Sequence, residues 1–330
     1  MCGKLGKIYW IMLDSNSKIW LERQFKNSVR FDESMSKHTS LRVGGPAQVF
    51  VAPESPEKLL KLIKWCGQKE LPYTVFGNGT NLLVKDSGIR GVVIVLTRCL
   101  NKITQNGTDN NGVIVTALAG ARLQALCAFA IENGLEGMNF ALGIPGTVGG
   151  GIIMNAGTAH GTMESVLDSI EILLPTGKNK ILSKDNLCFE YRKLSWNMGK
   201  EDVYKSRSII LSGCFCLHHS DPQADPQKLK QEADEILKTR KKKQPAGLPN
   251  AGCFFKNPSS GKTAGQLIEM AGLKGKSTGG AKISSKHANF ILNTGSASAS
   301  DILTLMELVQ KKVLNMFNIE LETEIKIVGD

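Results

Sequence analysis

Apolar positions along the chain follow two periods, and each period predicts a different element. Short apolar runs predict strands at 48–52, 73–76, 92–96, 113–118, 169–174, 180–182 and 209–217. A period near 3.6 residues predicts helices at 56–69, 122–132, 263–271 and 300–317, and a more polar helix ends in the basic run Lys238–Lys243. After residue 245, the mixture of helices and strands predicts a smaller α+β unit.

The two ends of the chain carry weaker signals. Residues 1–34 show no clear period and are interpreted as an N-terminal extension. Residues 319–328 alternate as in a strand, with Ile319, Leu321, Ile325 and Ile327 on one face and Glu320, Glu322, Glu324 and Lys326 on the other. Taken alone, that second face indicates a solvated strand surface.

Composition adds limits to this picture. The chain has 330 residues, 42% hydrophobic and 22% charged, which is typical of a globular protein of about two domains and excludes a disordered or fibrous chain. No apolar run approaches the roughly 20 residues of a membrane helix, so no membrane insertion is expected. The run Ile8–Leu13 is too short for a secretory signal, which favours the cytoplasm. The net charge of +11 suits nucleic acid, anionic lipid or an anionic small substrate, and charge alone leaves all three open.

Eight cysteines are spread without the spacing of a disulfide framework. Buried, reduced thiols in a reducing cytoplasm explain them better than disulfides do. Alternation in a strand would place Cys214, Cys216 and His218 on one side, and zinc accepts such ligands. No second ligand pair stands at finger spacing, so the prediction is a strand core without a metal.

Two glycine-rich loops, 77–83 and 143–151, are the strongest local signals of a binding site. Glycine permits positive φ and close approach, so successive backbone N–H groups could converge on a phosphate, although a pair of tight turns would need the same residues. A Rossmann fingerprint is excluded because its third glycine is replaced by Leu82. The Walker pattern fails as well, because Lys256 and Met270 stand where its first glycine is required.

A series of blocks in the same order resembles the UDP-N-acetylenolpyruvoylglucosamine reductase family. The blocks lie at residues 39–47, 77–84, 143–157, 189–192, 243–245, 251–258, 287–290 and 321–329, so the resemblance spans about residues 35–329. No long insert is evident between Arg192 and Lys243, which is similar to the shorter type of this family.

The resemblance implies a fold and an activity. The fold is a FAD-binding domain of the vanillyl-alcohol-oxidase or p-cresol-methylhydroxylase type in two halves, at 35–97 and 98–243, with a small α+β substrate-binding domain at 244–318. Residues 319–330 would then be a C-terminal strand that returns to the active site. The implied reaction is the NADPH-driven, FAD-dependent reduction of UDP-N-acetylglucosamine enolpyruvate to UDP-N-acetylmuramate, a step of peptidoglycan precursor synthesis.

Three residues are implied to be catalytic. Arg192 matches the arginine of the active site, where a fixed cation would stabilise charge that develops on the substrate carboxylate. Cys253 stands where the family more often has the serine that protonates C2, and a thiol is the stronger acid. Glu324 matches a second acid. Without the resemblance, these residues would be interpreted as a surface arginine, a buried inert cysteine and one carboxylate of a solvated strand face.

The resemblance also implies binding residues. For FAD they are Arg42, Gly77, Asn78, Gly79, Thr80, Asn81, Leu82, Gly143, Gly146, Thr147, Gly149, Gly150 and Asn155; for the substrate they are Tyr191, Lys243, Lys256, Asn257 and His287. The family more often has a tyrosine soon after the block that ends at Gly157, and His160 is assigned no corresponding role.

Two other functions remain open at this point. One is a different flavin oxidoreductase on the same fold, against which the blocks around Arg192, Cys253 and Glu324 argue. The other is a basic nucleotide- or RNA-binding protein without catalysis, for which the run Lys238–Lys243 would be a patch rather than a solvated helix end. Such a protein would be colourless and rich in surface aromatics. Aromatic residues make up only 6% of the chain, so no nucleic acid partner is expected.

Overall fold

A computed structural model describes residues 13–109, 112–219 and 226–330. The first twelve residues, which hold most of the run Ile8–Leu13, and residues 220–225 lie outside the described part.

The helices begin at residues suited to capping. Ser55 accepts a hydrogen bond from Lys58 N ahead of Pro56, and Ser298 forms a reciprocal capping box with Asp301. The helices are α1 (Ser15–Phe25), α2 (Pro56–Gln68), α3 (Leu123–Glu132), α4 (Val148–Ile153), α5 (Pro226–Lys243), α6 (Ala264–Met270) and α7 (Ala299–Phe317).

The strands are short, as the pattern predicts. In the first half of the chain they are β1 (Val29–Ser34), β2 (Pro46–Val51), β3 (Tyr73–Phe76), β4 (Leu82–Val84), β5 (Ile89–Val95), β6 (Ile103–Asp109), β7 (Gly112–Leu118), β8 (Leu135–Glu136), β9 (Gly157–Thr158) and β10 (Gly161–Thr162). They continue with β11 (Leu167–Leu173), β12 (Asn179–Ser183), β13 (Leu187–Glu190), β14 (Lys193–Trp196), β15 (Ile209–His219), β16 (Ser277–Thr278), β17 (Ala281–Ile283), β18 (Ile291–Asn293) and β19 (Lys326–Val328).

Among the described residues, three sheets have three or more strands, and three further strand pairs are β9-β10, β13-β14 and β4-β19. The first sheet has the order β1-β2-β5-β3, in which β2, β5 and β3 run parallel and β1 is antiparallel. The second is antiparallel, β12-β11-β15-β7-β6 with β8 also paired to β15, and one apolar core joins it to the first. The third, β16-β17-β18, packs with α6 and α7 around a separate core.

The N-terminal segment belongs to the first sheet, so its interpretation as an extension is wrong from residue 15 onward. Strand β1 pairs with β2, and Leu21 and Phe25 of α1 are fully buried. Sequence periodicity missed α1 because its apolar residues are few, and its stability comes from tertiary packing.

The C-terminal strand is shorter than predicted. Only Lys326–Val328 pair in parallel with β4, and Ile327, expected on the buried face, is 38% exposed. Residues 321–325 instead run beside the chain near Phe255, with Leu321 and Ile325 buried. An irregular backbone breaks the two-residue alternation, so the predicted faces do not hold.

The cysteine prediction is correct for some thiols and wrong for others. Cys66, Cys99 and Cys127 are buried and reduced, whereas Cys188 is exposed and Cys253 is partly accessible. Among the described residues, no helix combines the length and apolarity that crossing a bilayer requires.

Candidate active site

Arg192 occupies a tight turn of the β13–β14 hairpin. Its φ of +60° is a left-handed conformation that non-glycine residues adopt rarely. The turn directs the guanidinium inward: Nε donates to Glu324 Oε1 at 2.8 Å, and both side chains are more than 80% buried. The face of Tyr191 lies 5.0 Å from the guanidinium carbon.

Backbone pairing brings Glu324 beside Cys253. The C-terminal segment runs antiparallel to residues 254–256, with Glu324 N donating to Phe254 O at 2.8 Å and Lys256 N donating to Glu322 O at 2.9 Å. Glu324 therefore points into the molecule, while Glu322 stays at the surface with an ion pair to Lys256 at 3.0 Å. The interpretation of Glu324 as part of a solvated face is wrong.

The environment of Cys253 keeps its sulfur protonated. Burial, together with a smaller contribution from the Glu324 carboxylate, raises the pKa of this thiol to about 12 against the opposing effect of Arg192 and Arg240. Burial also raises the pKa of Glu324, against the lowering effect of Arg192 and Lys256. A thiol with such a pKa is protonated at neutral pH. It can therefore donate a proton, and it does not act as a thiolate nucleophile.

Arg240 is a member of this site that sequence reasoning missed. It belongs to the basic run at the end of α5, yet its Nη2 donates to Gly143 O at 3.3 Å and its Nε is buried without a protein partner among the described residues. A signal was present: Leu229, Ala233 and Ile236 form the buried stripe of α5, and Arg240 follows at the same spacing. Arg192, Arg240, Cys253 and Glu324 are called the reaction cluster below.

The two glycine-rich loops touch each other across the interface of the first two sheets. Thr80 Oγ1 donates to Pro145 O at 3.2 Å, and a Cβ atom at Gly77 would overlap Thr147 Oγ1. Gly79 has a φ of +62°, and its Cβ would overlap His38 O. The loops, residues 77–82 and 143–150, form a continuous surface that we call the glycine cradle.

The two loops use their backbone N–H groups differently. Within the described chain, the N–H groups of residues 78–81 have no protein acceptor. In the second loop, Val148 N donates to Ala121 O, Gly149 N to Ala119 O and Gly150 N to Thr147 Oγ1. The first loop can therefore bind an anion with its backbone, whereas the expectation of free N–H groups in the second loop is wrong at these positions.

Two cavities adjoin these elements. One of about 450 Å³ is lined by the β9–β10 hairpin together with Asn155, Tyr191, Arg192 and Asn257. The other, of about 160 Å³, is lined mainly by apolar side chains and by Gly77, Thr147, Gly149 and Gly150 of the cradle. Trp196 also lines it and has its indole N–H buried without a protein acceptor among the described residues. A buried donor in that position calls for a polar ligand atom.

Two asparagines expected to bind a cofactor have their side-chain amides engaged by the protein. Asn81 Nδ2 donates to Glu324 O at 3.2 Å, which ties the first loop to the segment that carries the carboxylate. Asn155 Nδ2 donates to Glu190 O at 3.2 Å, and its Oδ1 accepts from Glu164 N at 3.1 Å. Asn155 thus supports the hairpin of Arg192 while still lining the larger cavity.

The remaining predicted residues divide into two groups. Tyr191 and Asn257 line the larger cavity, and Lys256 lies near Glu324. Arg42 and Lys243 are exposed. His287 packs on Phe290 beside Gly265, and burial lowers its pKa, but it does not line either cavity.

Comparisons with known proteins agree with this architecture. The family described as "UDP-N-acetylenolpyruvoylglucosamine reductase, C-terminal domain" matches residues 244–328, and the "FAD binding domain" family matches residues 47–183. These matches confirm the predicted α+β fold with a FAD-binding domain and a small second domain.

Relatives that bear the same name match nearly the whole chain. The UDP-N-acetylenolpyruvoylglucosamine reductase of Desulfosudis oleivorans is 43% identical over 96% of this chain and 100% of its own, and that of Desulforamulus reducens is 42% identical over 94% and 97%. The crystal structure of the reductase from Thermus caldophilus aligns with a TM-score of 0.73 and 33% identity over 91% of this chain and 100% of that one. The resemblance drawn from the sequence blocks is thereby confirmed, and the chain belongs to the UDP-N-acetylenolpyruvoylglucosamine reductase family.

Proposed function

We propose that this chain catalyses the NADPH-driven, FAD-dependent reduction of UDP-N-acetylglucosamine enolpyruvate to UDP-N-acetylmuramate, in the cytoplasm, for peptidoglycan precursor synthesis. The observation that carries the proposal is the reaction cluster, of which Arg192 lines the larger cavity. In this cluster a guanidinium, a carboxylate and a protonated thiol converge from separate segments of the chain.

The glycine cradle supports FAD as the cofactor. The N–H groups of residues 78–81, which have no protein acceptor in the described chain, suit a diphosphate. A Cβ would clash with Thr147 Oγ1 at Gly77 and with His38 O at Gly79. The smaller cavity is lined mainly by apolar side chains, which suits an aromatic ring. The indole N–H of Trp196, which has no acceptor among the described residues, would donate a hydrogen bond to that ring system. When bound, FAD supplies the hydride relay between NADPH and the enolpyruvyl group.

The domains then have separate roles. The FAD-binding halves at 35–97 and 98–243 would hold the cradle, with the first half extended to include α1 and β1. The domain at 244–318 would bind the sugar nucleotide, and residues 319–330 would return Glu324 to the site. NADPH and the substrate would bind in turn at the larger cavity, which gives ping-pong kinetics.

Arg192 is assigned to the substrate carboxylate. Addition of hydride to C3 of the enolpyruvyl ether drives negative charge through C2 onto a carboxylate that is already anionic. Glu324 holds Nε of Arg192, so the terminal nitrogens of the guanidinium are directed toward the substrate. Arg240 adds a second positive charge nearby, and both cations act in a partly buried site where their effect is larger than in water.

Cys253 is assigned to the proton that C2 requires. Its S–H bond breaks as the C–H bond at C2 forms, and the resulting thiolate is held by Arg192 and Arg240 until solvent reprotonates it. The raised pKa ensures that the thiol is loaded with a proton before each turnover. The rest of the substrate is assigned to Tyr191, Lys243, Lys256, Asn257 and His287. Of these, Tyr191 and Asn257 line the larger cavity.

The test separates the two halves of the reaction under anaerobic conditions. NADPH should bleach the yellow holoenzyme, and the enolpyruvyl sugar nucleotide should restore the colour. Cys253→Ala should bleach normally but recover at least about 100-fold more slowly, whereas Cys253→Ser should retain substantial recovery. Cys188→Ala, at an exposed thiol, is the matched control.

Three results would contradict the proposal. A colourless protein would point to nucleotide binding without catalysis. Bleaching by NADPH without recovery by this substrate in the unmodified enzyme would point to another flavin oxidoreductase. Normal recovery in Cys253→Ala would remove Cys253 from its role as the acid.

A further inference from the structure

The backbone of Glu324 is bonded on both of its sides, once toward the thiol segment and once toward the glycine cradle. Its N–H donates to Phe254 O at 2.8 Å, next to Cys253, and its carbonyl accepts from Asn81 Nδ2 at 3.2 Å. The carboxylate that accepts from Arg192 Nε at 2.8 Å therefore projects from a backbone that two other segments hold.

Asn81 bonds the C-terminal segment with its backbone as well as with its side chain. Its carbonyl accepts from Lys326 N at 3.0 Å, where β19 begins to pair with β4. Asn81 and Glu324 are 243 positions apart in the sequence, so only the folded chain brings them together. Two bonds to one short segment restrict its direction as well as its position, and both must be right for the Glu324 carboxylate to meet Arg192.

The peptide units of the same loop turn their N–H groups the other way. Ser40 N donates to Gly79 O at 3.0 Å, and Ser40 Oγ donates to Thr80 O at 3.4 Å. In a trans peptide the N–H points away from the carbonyl of the same unit, so the N–H groups of Thr80 and Asn81 point away from Ser40. Neither has a protein acceptor in the described chain. Asn81 thus offers its backbone N–H to a ligand of the cradle and its carboxamide to Glu324.

We propose that Asn81 is a positioning residue, whose carboxamide holds the backbone of Glu324 so that the carboxylate stays paired with Arg192. This inference rests on the proposed role of Arg192 and on the ion pair that Glu324 makes with it. Arg192 lines the larger cavity, so the direction of its guanidinium depends on Glu324 and, through one hydrogen bond, on Asn81. The glycine cradle is thereby joined to the reaction cluster through a single residue.

Asn293 is a matched control, because its carboxamide also bonds the backbone carbonyl of a distant segment. Its Nδ2 donates to Leu41 O at 2.9 Å, 252 positions earlier in the chain. Neither residue belongs to the reaction cluster or to the glycine cradle. A general loss of packing between segments should therefore appear in variants of both asparagines, whereas misalignment of Glu324 should appear only in variants of Asn81.

The first experiment measures both half-reactions in purified holoenzymes under anaerobic conditions. Asn81→Ala should slow recovery of the flavin colour by the enolpyruvyl substrate about 3- to 15-fold, as expected for one lost hydrogen bond, and leave bleaching by NADPH within about twofold. Asn81→Leu keeps the branched shape without the donor, so it should slow recovery equally. Asn293→Ala should lower the melting temperature and leave recovery per bound flavin unchanged. Normal recovery in both Asn81 variants would overturn the inference.

Hydrogen exchange gives a readout that does not depend on catalysis. In the Asn81→Ala holoenzyme, a peptide that spans residues 321–328 should exchange its amide hydrogens faster than in the unmodified enzyme, because Glu324 is no longer held by its carbonyl. Peptides of the second sheet should exchange as before, and residues 321–328 should be unaffected in Asn293→Ala. Unchanged exchange of residues 321–328 in Asn81→Ala would show that the carboxamide does not hold this segment, which would refute the inference.

A double-mutant cycle tests whether Asn81 acts through Glu324. Added to Glu324→Gln, the Asn81→Ala substitution should slow the residual recovery no further, because its effect passes through the carboxylate. Independent slowing by the two substitutions would overturn the inference and leave the proposed function intact. Normal recovery in both Glu324→Gln and Arg192→Met would instead refute the proposed role of that ion pair.

Discussion

The glycine cradle and the reaction cluster are built in opposite ways. The cradle consists of backbone from two continuous stretches, 77–82 and 143–150, and its main feature is a set of free N–H groups. The cluster consists of side chains from four distant segments, held by one ion pair and by pairing with the C terminus. Damage to the cradle should therefore release flavin, whereas damage to the cluster should stop turnover in an enzyme that keeps its flavin.

The largest expected effect belongs to Arg192→Met. Loss of the guanidinium removes the charge that we propose stabilises the substrate carboxylate, and it leaves Glu324 buried without its partner. We expect kcat/KM for the enolpyruvyl substrate to fall about 10³-fold with flavin content retained. Steady-state kinetics normalised to flavin absorbance measure this, with Lys193→Met as the exposed neighbouring control. Loss of flavin with normal activity per flavin would place Arg192 in the cradle instead.

The second largest effect is expected from Gly79→Ala, a substitution in the glycine cradle. Both the positive φ and the overlap with His38 O oppose a Cβ at this position, so the loop must shift. We expect FAD affinity to fall about 100-fold while turnover per bound flavin stays near normal. Gly199→Ala is the control, because Gly199 has a similar φ of +64° but open space around it. Equal flavin loss in both variants would show that the strain of a positive φ is responsible, and that the overlap with His38 O is not.

A third prediction concerns the reaction cluster alone and tests whether the Cys253 thiol is protonated at rest. Because its pKa is raised to about 12, the sulfur stays protonated through neutral and mildly alkaline pH. Iodoacetamide at pH 8 should therefore modify Cys253 at least about 10-fold more slowly than the exposed Cys188. Peptide mass spectrometry over time measures both rates. Faster reaction at Cys253 would indicate a resting thiolate and remove it as the acid.

A smaller effect is expected from Thr147→Ala in the second loop. Thr147 Oγ1 accepts from Gly150 N at 3.3 Å at the start of α4, and the substitution removes this cap. The free energy of unfolding should fall by about 1 kcal/mol, as measured by urea denaturation. Thr147→Ser should restore it. Since the N–H groups at the start of α4 are bonded within the protein, we expect a weaker loss of FAD than in Gly79→Ala. A larger loss would mean that the second loop contributes to FAD binding as much as the first.

The smallest effect is expected from Glu322→Gln. Glu322 lies two residues before Glu324, and its ion pair to Lys256 is largely exposed. Removal of such a pair should change the free energy of unfolding by less than about 1 kcal/mol and leave kcat unchanged. A clear fall in kcat would contradict this expectation and would give Glu322 a role in the reaction.

Local patterns predicted the elements of the cradle better than those of the cluster. Strand β3 is found where the apolar run predicts it, and the first glycine loop follows it directly. The local pattern alone assigns Arg240 to a solvated helix end and Glu324 to a solvated strand face, and only the family resemblance predicts Glu324 in the active site. Both errors have one cause: a charged side chain is assigned to solvent unless its buried partner is known, and the partners lie more than 80 residues away.

The amino-acid sequence by itself determined the short strands, the capped helices and the glycine loops, because each depends on residues that are close together in the chain. It also determined the family, because the matching blocks follow one another in the same order. Only the tertiary structure decided which N–H groups stay free, which glutamate turns inward and what surrounds Cys253. Those outcomes depend on hydrogen bonds between distant segments, such as that from Glu324 N to Phe254 O. Such pairing excludes water from the side chains around it, and their pKa values shift as a result.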